Sequence, residues 1–440
     1  MKRIMLSAMH SGAGKTVAVC ALLSALKRRG MDVRAYKCGP DYIDPMFHTR
    51  VLGVPSRNLD LFLQGEDGVR RSLKQCSGEI AVLEGAMGYY DGVAATADAS
   101  AWDVAVKTDT PVILVLRPKG VGLSLAAQVR GMLQFRQPSQ IAGLLLTDCK
   151  AHLADYLTPM LARETGLPVL GYLPPMDEAK LESRHLGLQT PDEIEALTAR
   201  FETIAAQLER TVDLDRLLSL AADGETAPAE IHTAAASCRI AVARDEAFCF
   251  AYADSLDALR NAGAELVFFS PLRDKTLPPE IDGLYLCGGY PELYAALLSQ
   301  NETMRVSVRD AVQKGLATIA ECGGFLYLQS SLEDTEGNAF PMCGVLPGAG
   351  VRTGCLQRFG YAWLETDTSS MLFRAGERVP VHEFHYWDST QNGSDLRAVK
   401  PDGRKWSCAF ATPRLYAGFP HLPLGGETPL AERFVRMCQQ

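Results

Sequence analysis

Cys322 stands in a pattern that can expose a nucleophilic thiol. The apolar run Thr318–Ala320 leads into Glu321 and Cys322, two glycines follow, and Phe325–Leu328 can open a helix. A strand that turns sharply into a helix is the geometry of a nucleophile elbow. A thiol at such a turn lies beside free helix N–H groups, which stabilise a thiolate and hold an oxyanion. The alternative is a small buried cysteine in a glycine turn.

A second chemical motif, Ser-Gly-Ala-Gly-Lys-Thr at residues 11–16, lies between an apolar strand and a helical pattern. In a phosphate-binding loop, backbone N–H groups surround the phosphates. Lys15 would meet the terminal phosphate oxygens, and the Thr16 hydroxyl would bind Mg²⁺. The alternative is a glycine-rich capping turn that binds nothing.

Carboxylates follow two other predicted strands of the same region. Asp41 and Asp44 follow the strand Val33–Lys37, and Glu84 follows the strand Ile80–Leu83. Open α/β sheets bind ligands at the carboxyl ends of their parallel strands. Acidic side chains at that edge can hold Mg²⁺ through oxygen, although a single aspartate there is as readily a turn or helix cap.

Alternating strands and helices must position these groups. Helical patterns such as Thr16–Arg29 separate apolar runs that are typical of strands, namely Arg3–Ser7, Val33–Lys37, Ile80–Leu83, Val112–Leu116 and Ile141–Leu146. This rhythm predicts a mostly parallel sheet with helices on both faces.

The rhythm pauses at residues 221–238, where Ile231 is the sole large apolar residue. It restarts with the predicted strands Arg239–Ala243, Leu266–Phe269 and Gly283–Leu286, and beyond about residue 340 the strands look mixed or antiparallel. We therefore predict an α/β chain with domains at 1–220 and 239–440, joined by a linker at 221–238.

Composition excludes several classes of protein. The 440 residues carry a formal net charge of −8, which disfavours nonspecific nucleic-acid binding. The short apolar run near Met1 is interrupted by His10–Lys15, so no signal peptide is expected. No membrane span is expected either, because no uninterrupted apolar run approaches membrane-spanning length. The 12 cysteines contain no C-x-x-C pair. We expect reduced thiols in a cytoplasmic protein.

Segments along nearly the whole chain resemble, in order, the cobyrinate a,c-diamide synthase family. That family fuses a P-loop synthetase domain of the dethiobiotin-synthetase type to a class I glutamine amidotransferase domain. The segments that carry the resemblance are Ser11–Thr16, Lys37–Pro45 with His48, Glu84–Gly92, Arg184–Leu188, Ala241–Phe250, Leu286–Glu292, the Cys322 elbow and His382–Tyr386.

The resemblance implies a ligase of cobalamin biosynthesis. ATP and Mg²⁺ would activate the a and c carboxylates of cobyrinate as acyl phosphates, and ammonia released from L-glutamine would displace phosphate. No nucleic acid or membrane partner is implied, and a homodimer is left open.

For the amidotransferase half, the resemblance implies Cys322 as nucleophile and His421 as its base, with His382 and His385 as rival bases. Simple amidotransferases carry a glutamate two residues after this histidine, where this chain has Pro423. The orienting acid is therefore missing locally.

The turn after strand Gly283–Leu286 would hold the oxyanion. The resemblance implies that Gly288 and Gly289 supply the N–H donors. Cys287 stands where the family often has a further glycine, which places a second thiol near the reaction centre.

For the synthetase half, the resemblance implies a nucleotide-binding loop at Ser11, Gly12, Ala13, Gly14, Lys15 and Thr16. Thr16 and Glu84 are the predicted metal ligands. The resemblance also places three aspartates near the metal, phosphate or substrate, namely Asp41, Asp44 and Asp91. Candidates to line the macrocycle pocket are Tyr42, His48 and Tyr90, each with a buried-core role as the alternative.

Three positions depart from the family pattern around the nucleotide. Met9 replaces the leading glycine of the loop, Arg117 follows strand Val112–Leu116 in place of an aspartate, and Thr147 stands where relatives carry an adenine-reading asparagine. They indicate altered nucleotide contacts.

Other functions remain as alternatives. The same chemistry could act on hydrogenobyrinate or on nickel sirohydrochlorin. Two further classes are a P-loop switch or partitioning ATPase and a stand-alone glutaminase or peptidase-like hydrolase with a degenerate nucleotide domain.

Overall fold

The computed structural model describes residues 1–179, 191–224 and 236–440 of the chain. It divides into two compact units, Met1–Phe62 with Glu66–Ala229 and Leu63–Gly65 with Glu230–Gln440. Each unit combines helices with a mostly parallel sheet, which confirms the predicted α/β class.

The sheet of the first unit has the strand order β3-β2-β4-β1-β5-β6-β7, and these strands are all parallel. β8 is added antiparallel to β1. The strands are β1 Lys2–Ala8, β2 Val33–Cys38, β3 Ser56–Leu59, β4 Ile80–Glu84, β5 Val112–Leu116, β6 Ile141–Leu146, β7 Val169–Tyr172 and β8 Ala222–Asp223.

Helices cover both faces of this sheet. They are α1 Lys15–Arg28, α2 Ile43–Arg50, α3 Leu61–Gln75, α4 Ala101–Lys107, α5 Leu123–Phe135, α6 Ala151–Thr165, α7 Pro191–Thr211 and α8 Leu214–Leu220. Because side chains alternate along a strand, β1 sends Ile4 and Leu6 into one buried cluster and Met5 into another. The predicted two-sided packing is thus confirmed.

The strand order positions the chemistry of the first unit. β1, β4 and β2 are adjacent and parallel, so the loops that follow them meet at one edge of the sheet. Ser11–Thr16, Asp41 and Glu84 lie on or at the start of those loops.

The second unit contains a main sheet with the order β10-β9-β11-β12-β20-β19, parallel except for β19. A further sheet, β14-β13-β15-β17-β18 with β16 paired to β15, is largely antiparallel. The expected change of strand direction beyond residue 340 is therefore present.

The elements of this unit have the following bounds. The strands are β9 Cys238–Ala243, β10 Ala264–Phe269, β11 Gly283–Leu286, β12 Ala317–Glu321, β13 Ser331–Glu333, β14 Ala339–Pro341, β15 Ala349–Glu365, β16 Arg378–Ser389, β17 Leu396–Val399, β18 Lys405–Cys408, β19 Phe410–Ala411 and β20 Leu415–Gly418. The helices are α9 Ala253–Asn261, α10 Ala295–Gln300, α11 Glu302–Gln313, α12 Gly323–Leu328 and α13 Leu430–Cys438.

The predicted linker, residues 221–238, overlaps regular structure at both ends. β8 lies within it and β9 begins at its last residue, whereas residues 225–235 fall outside the described part of the chain. The domain boundaries stay predictions. The segment Arg184–Leu188 also lies outside the described residues.

Within residues 1–179, 191–224 and 236–440, no helix is both long and apolar enough to cross a bilayer.

Candidate functional site

Cys322 occupies a sharp turn between β12 and α12. Its backbone has φ 48° and ψ −101°, a conformation that non-glycine residues rarely adopt. Two backbone hydrogen bonds hold it there: the Cys322 N–H donates to the Gly418 carbonyl at 2.8 Å, and Leu326 N–H donates to the Cys322 carbonyl at 3.0 Å. The geometry is that of a nucleophile elbow, with the side chain 6% exposed.

The two glycines after Cys322 allow the elbow to press against the turn that follows β11. A Cβ on Gly324 would lie 2.1 Å from the Leu286 carbonyl oxygen, and one on Gly323 would lie 3.0 Å from the Gly289 nitrogen. Side chains at these positions would force the two segments apart. The structure thus brings Cys322 together with the Gly288–Gly289 turn.

His421 lies on the other side of the same turn, three residues after β20. A Cβ on Gly288 would come within 2.6 Å of His421 Cε1, so the ring packs directly on that glycine. The His421 N–H donates to the His382 carbonyl at 2.9 Å, and the side chain is buried.

The electrostatic surroundings of His421 favour its charged form. Burial lowers the pKa of His421, but interactions with Cys322 and Glu321 outweigh this effect and raise the pKa to about 10. A thiol and an imidazole in this relationship can exchange a proton and form a thiolate–imidazolium pair.

The two rival histidines are engaged differently. His385 has Nδ1 2.5 Å from the Trp387 carbonyl oxygen and Nε2 3.1 Å from Glu383 Oε2, so protein groups occupy both ring nitrogens. Burial, helped by the charges of His421 and Lys400, lowers the pKa of His382 to about 3. Cys322 is among the groups that raise the pKa of His421.

The neighbouring thiol of Cys287 is a structural group. It is buried and donates to the Ala243 carbonyl at 3.4 Å. Burial, and then the charges of Cys249 and Glu321, raise the pKa of Cys287 well above its usual value. A thiol that stays protonated is a poor nucleophile, which favours Cys322.

Sequence reasoning assigned no role to Glu321, which lies close to His421. Its Oε2 lies 3.8 Å from His421 Nδ1, and the side chain is almost fully buried. The sequence does contain a signal for this residue: an acidic side chain ends a predicted strand that is otherwise apolar. Carboxylates are seldom fully buried unless they are paired, so an acidic residue at such a position indicates a partner.

The loop at residues 11–16 of the first unit contains two glycines with positive φ, Gly12 at 79° and Gly14 at 86°. α1 begins at Lys15, whose Nζ donates to the Met87 carbonyl at 2.5 Å and to the His10 carbonyl at 3.3 Å. Burial and the nearby charge of Lys37 lower the pKa of Lys15 to about 8.

A cavity of about 890 Å³ opens over this loop. All six loop residues line it, together with Lys37 of β2 and Asp41 of the loop that follows β2. The volume and the convergence of backbone N–H groups with two lysines suit an anionic nucleotide.

Beside the cavity, Glu84 forms the centre of a buried charged cluster. Its Oε1 accepts from the Thr16 hydroxyl at 2.7 Å and from Lys37 Nζ at 2.9 Å. Lys37 also reaches Asp44 Oδ2 at 2.6 Å, and His48 Nε2 lies 3.4 Å from Glu84 Oε2. Burial raises the pKa of Glu84, but Lys37 and His48 outweigh it and hold the pKa well below normal.

Lys37 is the second group that sequence reasoning left without a role. A lysine inside the buried strand β2 was the signal, since a buried ammonium needs carboxylate partners.

The two predicted metal ligands lie next to each other: the Thr16 hydroxyl, in the first turn of α1, is 2.7 Å from Glu84 Oε1, at the end of β4. Mg²⁺ commonly takes one or two protein oxygens and fills its shell with phosphate and water. They fit such a site. Among the described residues, no group of three or more His, Cys, Asp or Glu side chains could hold a metal by itself.

The other predicted carboxylates stabilise local turns. Asp41 Oδ1 accepts from the N–H groups of Ile43 and Asp44 at 2.8 and 3.2 Å, and Asp91 Oδ2 accepts from the Gly88 N–H at 2.8 Å. Of the two residues, Asp41 lines the nucleotide cavity.

The three candidates for the macrocycle pocket differ in burial. His48 is fully buried, with Nδ1 3.1 Å from the Ser56 hydroxyl. Tyr90 is partly buried and donates to the Met132 carbonyl at 2.5 Å. Tyr42 is also partly buried and directly precedes α2.

Two of the positions that depart from the family pattern support the phosphate loop. The Thr147 hydroxyl donates to the Ala13 carbonyl at 2.7 Å, and Arg117 donates to the Gly12 carbonyl at 3.3 Å and to Asp148 Oδ2 at 2.8 Å.

Family models match both halves of the chain. Residues 4–188 match the CobQ/CobB/MinD/ParA nucleotide binding domain, and residues 239–427 match the CobB/CobQ-like glutamine amidotransferase domain. The two matches confirm the predicted domain types and their order.

Relatives match the chain along nearly its full length. A cobyrinate a,c-diamide synthase of Clostridium tetani is 37% identical over 431 residues, covering 96% of this chain and 97% of that protein. Two proteins of the same name match over a similar length. The one from Clostridium acetobutylicum is 34% identical and covers 99% of this chain and 100% of that protein. The one from Listeria innocua is 39% identical and covers 96% of each. The chain therefore belongs to the cobyrinate a,c-diamide synthase family.

Proposed function

We propose that this protein uses ATP and L-glutamine to convert the a and c side-chain carboxylates of cobyrinate into amides. The observation that carries the proposal is the presence of two candidate sites in one chain. One unit holds the Cys322 elbow and His421, which packs on Gly288, and the other holds a cavity lined by residues 11–16. Relatives named for this reaction match both units together.

The first half of the reaction releases ammonia. His421 takes the proton of the Cys322 thiol, and Sγ attacks the carboxamide carbon of glutamine. The backbone N–H groups of Gly288 and Gly289 hold the oxyanion. The C–N bond then breaks, ammonia leaves with the proton returned by His421, and water hydrolyses the thioester to glutamate.

The second half activates the acceptor. A carboxylate oxygen of the macrocycle attacks the γ-phosphorus of ATP, ADP leaves, and an acyl phosphate forms. Ammonia then attacks the acyl carbon and phosphate departs, because phosphate is a far better leaving group than an oxide.

Positive groups must stabilise the phosphoryl group in transit. Lys15 and Lys37 both line the cavity and supply this charge from the protein. Thr16 and Glu84 would hold Mg²⁺, which when bound neutralises charge on the phosphate oxygens. Asp41, Asp44 and Asp91 keep the proposed positions near metal, phosphate or substrate.

The functions that involve one half alone are less well supported. A P-loop switch leaves the Cys322 elbow without a role, and a stand-alone glutaminase leaves the loop, Lys15 and Glu84 without one. A homodimer and a cytoplasmic location stay predictions.

Mass spectrometry with a panel of acceptors tests the proposal. Cobyrinate, hydrogenobyrinate and nickel sirohydrochlorin are each incubated with the protein, Mg²⁺, glutamine and ATP, with ATP-free controls. Two ATP-dependent carboxylate-to-amide conversions on cobyrinate are expected. Conversion of another macrocycle alone would reassign the substrate, and glutamine hydrolysis with no amidation of any acceptor would contradict the proposal.

A further inference from the structure

Glu321 is a buried carboxylate whose two oxygens are both held by donors. It ends β12, directly before Cys322, and is 1% exposed. The Leu422 N–H donates to Oε1 at 2.9 Å, and the Tyr285 hydroxyl donates to Oε2 at 2.9 Å. A buried ionised group is costly unless it is paired, so its retention here requires a reason.

The reason lies in the third neighbour of Glu321. His421 Nδ1 stands 3.8 Å from Oε2, within ion-pair distance. Leu422, which Oε1 holds, is the residue next to His421. The carboxylate therefore faces the imidazole ring with one oxygen and fixes the backbone that carries the ring with the other.

The chain offers no acid at the local position, because Leu422 and Pro423 follow His421. We propose that Glu321 is the positioning residue for His421, holding the proton on Nδ1 so that Nε2 exchanges a proton with Cys322 Sγ. This inference rests on the proposed glutamine hydrolysis. One strand end would then supply both the nucleophile and the acid that orients its base.

The titratable groups that face His421 agree with this role. They are Cys322, Glu321 and His382. The low pKa of His382, about 3, keeps that ring neutral near pH 7. The negative charges that favour the imidazolium therefore come from Cys322 and Glu321, and the pKa of His421 rises to about 10.

The competing explanation is purely structural, with Glu321 serving only to hold Tyr285 and Leu422. Two substitutions separate the explanations. Glu321→Gln keeps the side-chain length and the oxygen that accepts from Leu422. Its amide nitrogen has two N–H donors: one can donate to the Tyr285 hydroxyl, which can accept as well as donate, and the other would donate to His421 Nδ1 and leave the proton on Nε2. Glu321→Asp keeps the charge but shortens the side chain.

If Glu321 positions His421, glutamine hydrolysis should depend more on the charge of this side chain than on its length. The kcat for glutamine hydrolysis should fall about 100-fold or more in Glu321→Gln, because the wrong imidazole tautomer cannot accept the thiol proton. Glu321→Asp should retain more activity than Glu321→Gln. A structural role predicts the reverse order, with the isosteric Gln variant the more active, and that order would overturn the proposal.

The pH profile of kcat supplies a readout that a structural role would not change. We choose kcat because it reports groups in the enzyme–substrate complex rather than the amino group of free glutamine. The wild-type alkaline limb should lie near pH 10, where His421 loses its proton. Removal of the Glu321 charge destabilises the imidazolium, so the limb should move to lower pH. A wild-type limb near pH 6.5 would contradict the proposal without any variant.

Glu383→Gln is the matched control. Glu383 is an equally buried carboxylate of the same unit that contacts another histidine, His385. It should leave the kcat of glutamine hydrolysis within about threefold of wild type. Ammonia-dependent amidation should persist in all three variants.

The result for Cys322→Ala distinguishes the two levels of the account. If glutamine hydrolysis survives in that variant, the proposed function itself is wrong. If it is lost there while Glu321→Gln matches wild type in kcat and pH profile, only the role of Glu321 is wrong.

Discussion

The Thr16 hydroxyl donates a 2.7 Å hydrogen bond to Glu84 Oε1, which joins the first turn of α1 to the end of β4. Lys37 from β2 reaches the same oxygen. Three adjacent elements are thereby fixed to one another at the edge of the sheet where the phosphate loop lies. Thr16 and Lys37, two members of this charged cluster, also line the nucleotide cavity.

Lys37 should be essential to the stability of the first unit. Lys37→Met leaves Glu84 and Asp44 buried without their shared cation, and breaking a buried pair on one side costs about 3 kcal/mol or more. We expect urea unfolding, followed by a probe placed in this unit, to shift to a lower midpoint. Amidation should be lost as well.

The control for Lys37 is Arg34→Met on the same strand. Arg34 pairs with the largely exposed Asp32, and an exposed pair contributes about 1 kcal/mol or less. Equal destabilisation by the two substitutions would show that the buried cluster has no special part in stability.

ATP binding should weaken at alkaline pH. The pKa of Lys15 is about 8 because of burial and the charge of Lys37. Above that pH the free loop holds a neutral lysine, and an anionic phosphate must draw a proton onto it. The ATP affinity should therefore fall by up to about 10-fold per pH unit above pH 8.

Calorimetry in two buffers of different ionisation enthalpy measures this proton uptake directly. About one proton should be taken up per ATP at pH 9. Lys15→Arg, whose guanidinium does not titrate in this range, should bind ATP without this uptake. Equal proton uptake by the two proteins would show that another group is responsible.

Gly288→Ala should disable glutamine hydrolysis. The added methyl would lie 2.6 Å from His421 Cε1, so the ring must leave its present position. We expect a loss of kcat of about 100-fold, since small displacements of a catalytic group have large effects, with ammonia-dependent amidation retained. Gly131→Ala is the control, because a Cβ at that position would have no atom within 4 Å. Equal rates of glutamine hydrolysis in the two variants would contradict this prediction.

Much of the backbone could be predicted from sequence. The runs Val112–Leu116, Ile141–Leu146 and Gly283–Leu286 are strands with the predicted bounds, and α1 covers Lys15–Arg28 where a helix over Thr16–Arg29 was predicted. These elements follow from local patterns of apolar residues, which sequence displays directly. The phosphate loop and the cysteine elbow were visible for the same reason, as each is contiguous.

The partners of the reactive groups could not be predicted because they come from distant segments. Lys37 and Glu84 are 47 residues apart, and Leu422 and Glu321 are 101 residues apart. Only the parallel order β2-β4-β1 brings the first pair together, and only the pairing of β12 with β20 brings the second. No acidic residue directly follows His421 in the sequence. Glu321 approaches the ring from the end of β12, so the residues beside His421 could not identify it.

Cys322→Ala should separate the two halves of the reaction. Removing Sγ eliminates the thioester, so glutamine-dependent amidation should fall below detection. Added ammonium salt should restore amidation, because the phosphate site lies in the other unit. Cys287→Ala serves as the thiol control and should keep glutamine-dependent turnover. Loss of both activities in Cys322→Ala would mean that Cys322 is a structural residue.

The most direct measurement of the central claim follows nitrogen from donor to product. Cobyrinate is incubated with the protein, Mg²⁺, ATP and glutamine labelled with nitrogen-15 in its amide, and the product is examined by mass spectrometry. The account predicts two labelled amides per macrocycle, none without ATP, and none in Cys322→Ala. A product without label, or label that appears without ATP, would contradict it.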